Sequence, residues 1–207
     1  MSYRALFAIR PARRLALAAI PADFADWLDY TAIVALLVYV WHEGPLTLAL
    51  YAIAASVPYA VIGPVLAVFT DRVNLKLVLV LSNLGRAIAI ASMIFAPNAV
   101  AVLVIIFLRS SVDSQFTPAR QAAIQATTPP ELLPAANGFH HAINQTAKIA
   151  GPALGGLLLL ILSPQQIFGL NAFFSLLAAV MLTGVALPAR PKEERKPFLQ
   201  ELGAGLG

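Results

Sequence analysis

Apolar positions along this chain gather into six long runs: Leu15–Trp41, Pro45–Thr70, Lys76–Ala96, Asn98–Thr117, Leu133–Leu162 and Gln166–Leu187. A hydrocarbon core about 30 Å thick needs roughly 20 such residues per helix, so the pattern predicts six transmembrane helices in an all-α membrane protein. The alternating pattern of an outer-membrane barrel is absent. Only the first run is heavily interrupted, by Asp23, Asp26 and Asp29. His42-Glu43-Gly44, Ala96-Pro97-Asn98 and Ser163-Pro164-Gln165 read as turns between runs. The longest link, Pro118 to Leu133, holds Thr127-Thr128-Pro129-Pro130-Glu131, a helix stop followed by a new start. Its first part, Ala119–Ala126, is expected to lie along the membrane surface.

Composition agrees with that pattern. Of 207 residues, 59% are hydrophobic and 12% charged, against about 45–50% and about 25% in soluble chains. An ordinary soluble enzyme, a disordered protein and a secreted disulfide scaffold are all excluded. The chain has no cysteine, so a thiolate metal site is excluded too. No phosphate-cradling glycine loop, nucleophile elbow or zinc motif occurs. The reading is therefore of a non-enzyme with no cofactor and no metal. The apolar run Leu15–Ala22 is not read as a cleaved leader, because no small-residue cleavage site precedes a soluble domain and five more apolar runs follow.

Net charge is +4. In so apolar a chain this marks membrane orientation and does not call for a nucleic-acid partner. Eleven of the 14 Lys and Arg residues fall in the N-terminal segment, the links after the second and fourth runs, and the tail. The three opposite links have none. Both termini are expected in the cytoplasm, with the protein multi-pass in the inner or plasma membrane. Residues 1–187 form the predicted bundle and 188–207 a cytoplasmic tail.

The second run contains Gly63-Pro64-Val65-Leu66 and the fifth Gly151-Pro152-Ala153-Leu154. Each is the middle helix of a group of three, and the two run in opposite directions. That placement predicts a 3+3 inverted repeat. Six ionisable residues sit inside the runs: Asp26, Asp29, Arg86, Arg109, Asp113 and Lys148. Each costs about 2.5–3.5 kcal/mol at a helix centre unless paired or hydrated. Arg109 and Asp113 are spaced to pair along one helix. Arg86 stands on a helix read as peripheral. The expected substrate and proton cavity holds Asp26, Asp29, Arg109, Asp113, Asn144 and Lys148. Adjacent His140 and His141 point about 100° apart on a helix and make no paired ligand face.

Several of these segments resemble a known family. Ala25-Asp26-Trp27-Leu28 followed by Val38-Tyr39 resembles the first helix of the major facilitator superfamily. The resemblance is to the drug:proton antiporter branch with macrolide, siderophore and lysophospholipid exporters. Asp71-Arg72 with Lys76 resembles the signature loop after the second helix. Phe116-Thr117-Pro118-Ala119-Arg120-Gln121, Pro129-Pro130-Glu131-Leu132-Leu133 and Ala136-Asn137 resemble the stretch after the fourth. Gly151-Pro152-x-x-Gly155-Gly156 resembles the fifth-helix antiporter motif. The chain departs from the pattern at Ala67, Leu75, Asn83 and Ala147, and no glycine follows Arg109.

The resemblance implies one six-helix half of a twelve-helix fold. It implies rocking around a midplane site, with export of an amphiphilic small molecule and possible coupling to protons through Asp29. Asp71, Arg72 and Lys76 would form a cytoplasmic gating loop. Gly151, Pro152, Gly155 and Gly156 would form a helix-packing surface. The expected partners are the bilayer, the substrate, and a second copy or a separate second half. The alternative reading is a truncated half or a non-transporting membrane interaction protein.

Overall fold

The computed structural model describes residues 3–70 and 73–187. Asp71, Arg72 and the tail 188–207 lie outside the described residues. Among the described residues the chain is helical throughout, without a strand. The order is α1 (Tyr3–Ala8), α2 (Arg10–Trp27), α3 (Tyr30–Ala35), a π turn at Leu36–Val40, α4 (Pro45–Val57), a π turn at Pro58–Ile62, α5 (Gly63–Thr70) and α6 (Leu75–Met93). Then come α7 (Ala99–Asp113), α8 (Phe116–Thr127), a 3-10 turn at Pro130–Leu132, α9 (Leu133–Leu158) and α10 (Pro164–Thr183).

Boundaries follow local chemistry at the turns read from the sequence. Asn74 and Asn98 cap α6 and α7 with their side chains. Ser163 and Gln166 make a reciprocal capping box on α10. Pro45 and Pro164 occupy first-turn positions, where a missing N–H costs nothing. His42 takes φ 55°, a left-handed turn that closes the first run before α4.

Four helical runs are long and apolar enough to cross a membrane: Pro45–Ala67, Leu75–Met93, Ala99–Thr127 and Pro164–Thr183. The first and fifth predicted spans fall short for a chemical reason. α2 carries Asp23 and Asp26 and parts from α3 at Leu28-Asp29, while α9 carries His140, His141, Asn144, Gln145 and Lys148. The segment expected on the membrane surface is a correction. Residues 119–126 belong to α8, which continues α7 across Ser114-Gln115 in one 29-residue run. Pro118 falls in the first turn of α8, so it breaks nothing. Ala119, Ala123 and Thr127 then bury one face at four-residue intervals.

α10 packs most extensively against α6 and α2, α2 also packs against α9, and α4 against α7. Two apolar clusters result. One holds Leu15, Ala22, Leu79, Phe116, Ile124, Ala178 and Leu182. The other holds Leu28, Ile33, Ile90, Met93, Val102, Ile167 and Phe168. Nearly all the buried polar side chains of the spans lie between them along the helices. Arg14 donates to Gly184 O at 2.6 Å, tying the start of α2 to the end of α10.

The two Gly-Pro segments make reciprocal crossings. Gln115 Nε2, at the α7–α8 junction, donates to Gly63 O at 2.8 Å. Thr31 Oγ1, just past the α2–α3 junction, donates to Pro152 O at 2.8 Å. Gly63 faces Ser114, and Gly151 faces Trp27. At the second crossing the backbones nearly touch. A Cβ on Gly151 would lie 2.8 Å from Trp27 Cβ, and one on Gly155 would overlap the Leu28 carbonyl. Gly156 is looser, with Thr31 Cγ2 at 3.8 Å from its Cβ position.

Gly155→Ala should therefore lower stability in detergent by about 1–3 kcal/mol, through forced separation of α9 from α2. Gly156→Ala should leave it nearly unchanged. Thermal unfolding of the two variants checks this, and equal midpoints would contradict the packing account.

Candidate substrate cavity and its charge chain

A cavity of about 810 Å³ opens between α2–α3, α4, the following π turn and α7, with Asn144 of α9 at its edge. Asp26, Asp29, Arg109 and Asp113 line it. So do Tyr30, Tyr51 and Tyr59, with apolar wall from Ile33, Leu48 and Ile106. Tyr51 and Tyr59 stand eight residues apart, about two helical turns, and present one face. Tyr30 and Tyr51 meet ring to ring with centroids 6.0 Å apart.

The charged residues form an alternating chain. Asp26 Oδ1 pairs with Arg86 Nη2 at 2.8 Å. Arg86 Nε and Nη2 grip Asp113 at 2.9–3.1 Å. Asp113 Oδ2 reaches Arg109 Nε at 3.5 Å, the expected pair one turn apart. Arg109 Nη1 ends on Asp29 Oδ2 at 2.7 Å. The order is thus Asp26–Arg86–Asp113–Arg109–Asp29, with a carboxylate at each end. Arg86 also donates from Nη1 to Ala22 O at 2.9 Å. Its side chain is 0% exposed, Asp26 is 24% exposed and Arg109 11%, so the cavity reaches the chain through Asp26 and Arg109.

Arg86 is the main correction to the sequence reading. It stands at the centre of the bundle, because α6 packs on α10 and α7 and turns its polar side inward. Lys148 is a second correction. It is exposed, does not line the cavity, and sits with Nζ 5.3 Å from the Trp27 ring centre. Asn144 lines the cavity and donates to Asp23 Oδ1 at 3.2 Å. Gln145 contacts exposed His141. Lys76 opens α6 and its backbone N–H is bonded by Asn74. The rest of the expected gating loop lies outside the described residues.

A second ion pair was not foreseen. Arg120 Nη1 holds Asp23 Oδ1 at 2.6 Å. The Phe116 ring lies between Arg86 and Arg120, whose guanidinium carbons are 5.4 and 5.3 Å from its centre. Arg120 entered the sequence reading only as a marker of orientation. The missed signal was Phe116 four residues before it, which brings the ring and the guanidinium to one helix face.

A helical bundle with membrane-length apolar helices, an aromatic-walled cavity and a paired charge chain has the build of a membrane transporter. The chain belongs to the major facilitator superfamily, whose family profile matches residues 15–205. It is 30% identical over 161 residues to "Uncharacterized MFS-type transporter YfiS" of Bacillus subtilis (strain 168), covering 78% of this chain and 39% of that protein. It is 23% identical over 169 residues to "Macrolide efflux protein A" of Streptococcus pyogenes, covering 78% and 42%. The protein of that name from Enterococcus faecalis is 24% identical over 157 residues, covering 72% and 49%. The chain thus spans less than half the length of these relatives.

Arg86→Met should leave half-buried Asp26 without its partner and buried Asp113 with only the longer Arg109 contact, at a cost of about 3–5 kcal/mol. Adding Asp113→Asn should recover part of that loss. Thermal unfolding of the single and double variants in detergent measures the coupling, and strictly additive losses would contradict it.

Proposed function

We propose that the chain is a six-helix unit of a secondary transporter that exports an amphiphilic small molecule, using the α2–α3/α4/α7 cavity as its binding site. The observation that carries this reading is the alternating charge chain lining an aromatic cavity. Three carboxylates face two guanidiniums, so the fully ionised chain bears one surplus negative charge. A proton on either end leaves a neutral chain, in which the remaining end carboxylate balances the single positive charge of the Arg86–Asp113–Arg109 core. The arginines that hold the two ends differ in access. Arg86 is sealed from the cavity and keeps Asp26. Arg109 lines the cavity, and a substrate that engages it releases Asp29. Proton uptake at Asp29 and substrate binding are then coupled through one guanidinium.

The reciprocal Gly-Pro crossings support a 3+3 inverted repeat, in which α2–α3 and α7–α8 are the matching broken helices. In that arrangement α2–α3 and α9 supply the first and fifth spans, and both termini face the cytoplasm. Asp71, Arg72 and Lys76 form the gating loop. The cavity's charged wall needs cover from lipid, which a second six-helix unit provides. We place a second copy of this chain there, with a separately encoded half as the alternative. A half that lacks transport and serves only as a membrane partner is the competing function.

Flux of a radiolabelled macrolide into inverted proteoliposomes under a pH gradient tests the coupling. Asp29→Asn should retain binding and lose gradient dependence. Asp26→Asn should mainly lower stability. Full gradient dependence in Asp29→Asn removes Asp29 from the mechanism. Native mass measurement in nanodiscs should give two 22.0 kDa chains per particle. A single chain per disc contradicts the paired arrangement.

A further inference from the structure

On the side of Arg86 away from the cavity, α2, α6 and α10 meet. Three polar side chains are there with no exposure at all: Asn83, Asn171 and Ser175. Asn83 Nδ2 donates to Leu79 O at 2.9 Å within its own helix. Its Oδ1, both polar atoms of Asn171 and Ser175 Oγ have no hydrogen-bond partner among the described residues. Packing brackets them together. Leu79 shares one apolar cluster with Ala178, and Ile90 shares the other with Ile167 and Phe168. Antiparallel pairing of α6 with α10 therefore sets Asn83 level with Ser175, and Asn171 level with Arg86 and Ala87.

Arg86 adds a complementary need. A guanidinium has five N–H donors. Asp113, Asp26 and Ala22 O take four of them. The second Nη1 proton has no acceptor among the described residues. A donor without an acceptor and two amide oxygens without donors thus lie within about one helical turn of one another. Each buried orphan is destabilising if left dry. A buried water makes about three hydrogen bonds to such groups.

We propose that the α2/α6/α10 junction is an internal water site. Its ligands are Asn83 Oδ1, the Asn171 amide and Ser175 Oγ, and its water accepts the remaining proton of Arg86. Asn83 and Asn171 are positioning residues: through the water they hold the guanidinium toward Asp26 and Asp113. The site is independent of what the cavity binds, because none of its ligands lines the cavity.

Asn171→Leu in the full chain in detergent separates a wet junction from a dry one. A wet junction loses its water, and the unfolding midpoint falls by roughly 2–8 °C. Asn171→Ser keeps a water ligand and regains part of the loss. The Asn83→Leu/Asn171→Leu pair falls by less than the sum of the singles, because the same water is lost once. A dry junction behaves oppositely: Asn171→Leu removes an orphan amide and unfolds at the same or a higher temperature, which overturns the proposal. Where Asn171→Leu does not fold, density maps of the unaltered chain decide. Ordered water touching Asn83 and Asn171 supports the site, and a direct bond between the two amides without water overturns it.

Discussion

Everything in this bundle is arranged around the cost of holding charge at membrane depth. Arg86 is fully enclosed, and a guanidinium without a carboxylate there would be strongly destabilising. Its two carboxylates come from α2 and α7, so the charge demands that three helices meet. Asp113 then reaches Arg109, and Arg109 reaches Asp29. Apolar packing above and below the polar layer keeps water and lipid from competing with these bonds. The fold and the candidate site thus share one set of interactions.

Interrupted helices make that arrangement possible. α2 parts from α3 at Leu28-Asp29, and α7 from α8 at Ser114-Gln115. Each interruption is met by a Gly-Pro segment from another helix, and each segment gives a carbonyl to a side chain near the break. Close approach at Gly151 and Gly155 needs hydrogen side chains, because the Trp27–Leu28 backbone fills the space a Cβ would take. Asp26 and Asp29 flank the point of closest approach, which ties cavity geometry to helix packing.

Much of this was legible in the sequence. Charge at membrane depth required each charged residue to find a partner, and the spacing i,i+4 announced Arg109 with Asp113, while Asp26 with Arg86 and Asp29 with Arg109 emerge only from the fold. The glycine positions of α9 were legible as a packing motif. What escaped was direction. Hydropathy does not say which way a helix turns its charged face, so Arg86 read as peripheral and Lys148 as central. Residues 119–126 read as a surface segment because Pro118 counts as a breaker until its place in the first turn of α8 is known. Asn171 and Ser175 passed unnoticed because uncharged polar residues barely lower the hydropathy of an apolar run. The tyrosine wall was missed because Tyr30 joins Tyr51 and Tyr59 from a separate helix.

In the proposed mechanism Asp29 and Arg109 form the movable end of the charge chain while Asp113 stays clamped between both arginines. Isotope-edited infrared spectroscopy of the carboxyl groups in reconstituted protein tests it most directly, with Asp→Asn variants assigning each band. Lowering pH should produce a protonated-carboxyl band that disappears in Asp29→Asn, and a bound macrolide should alter this band and leave Asp113 ionised. A band assigned to Asp113, or an Asp29 that stays ionised and indifferent to ligand across the range, would contradict it.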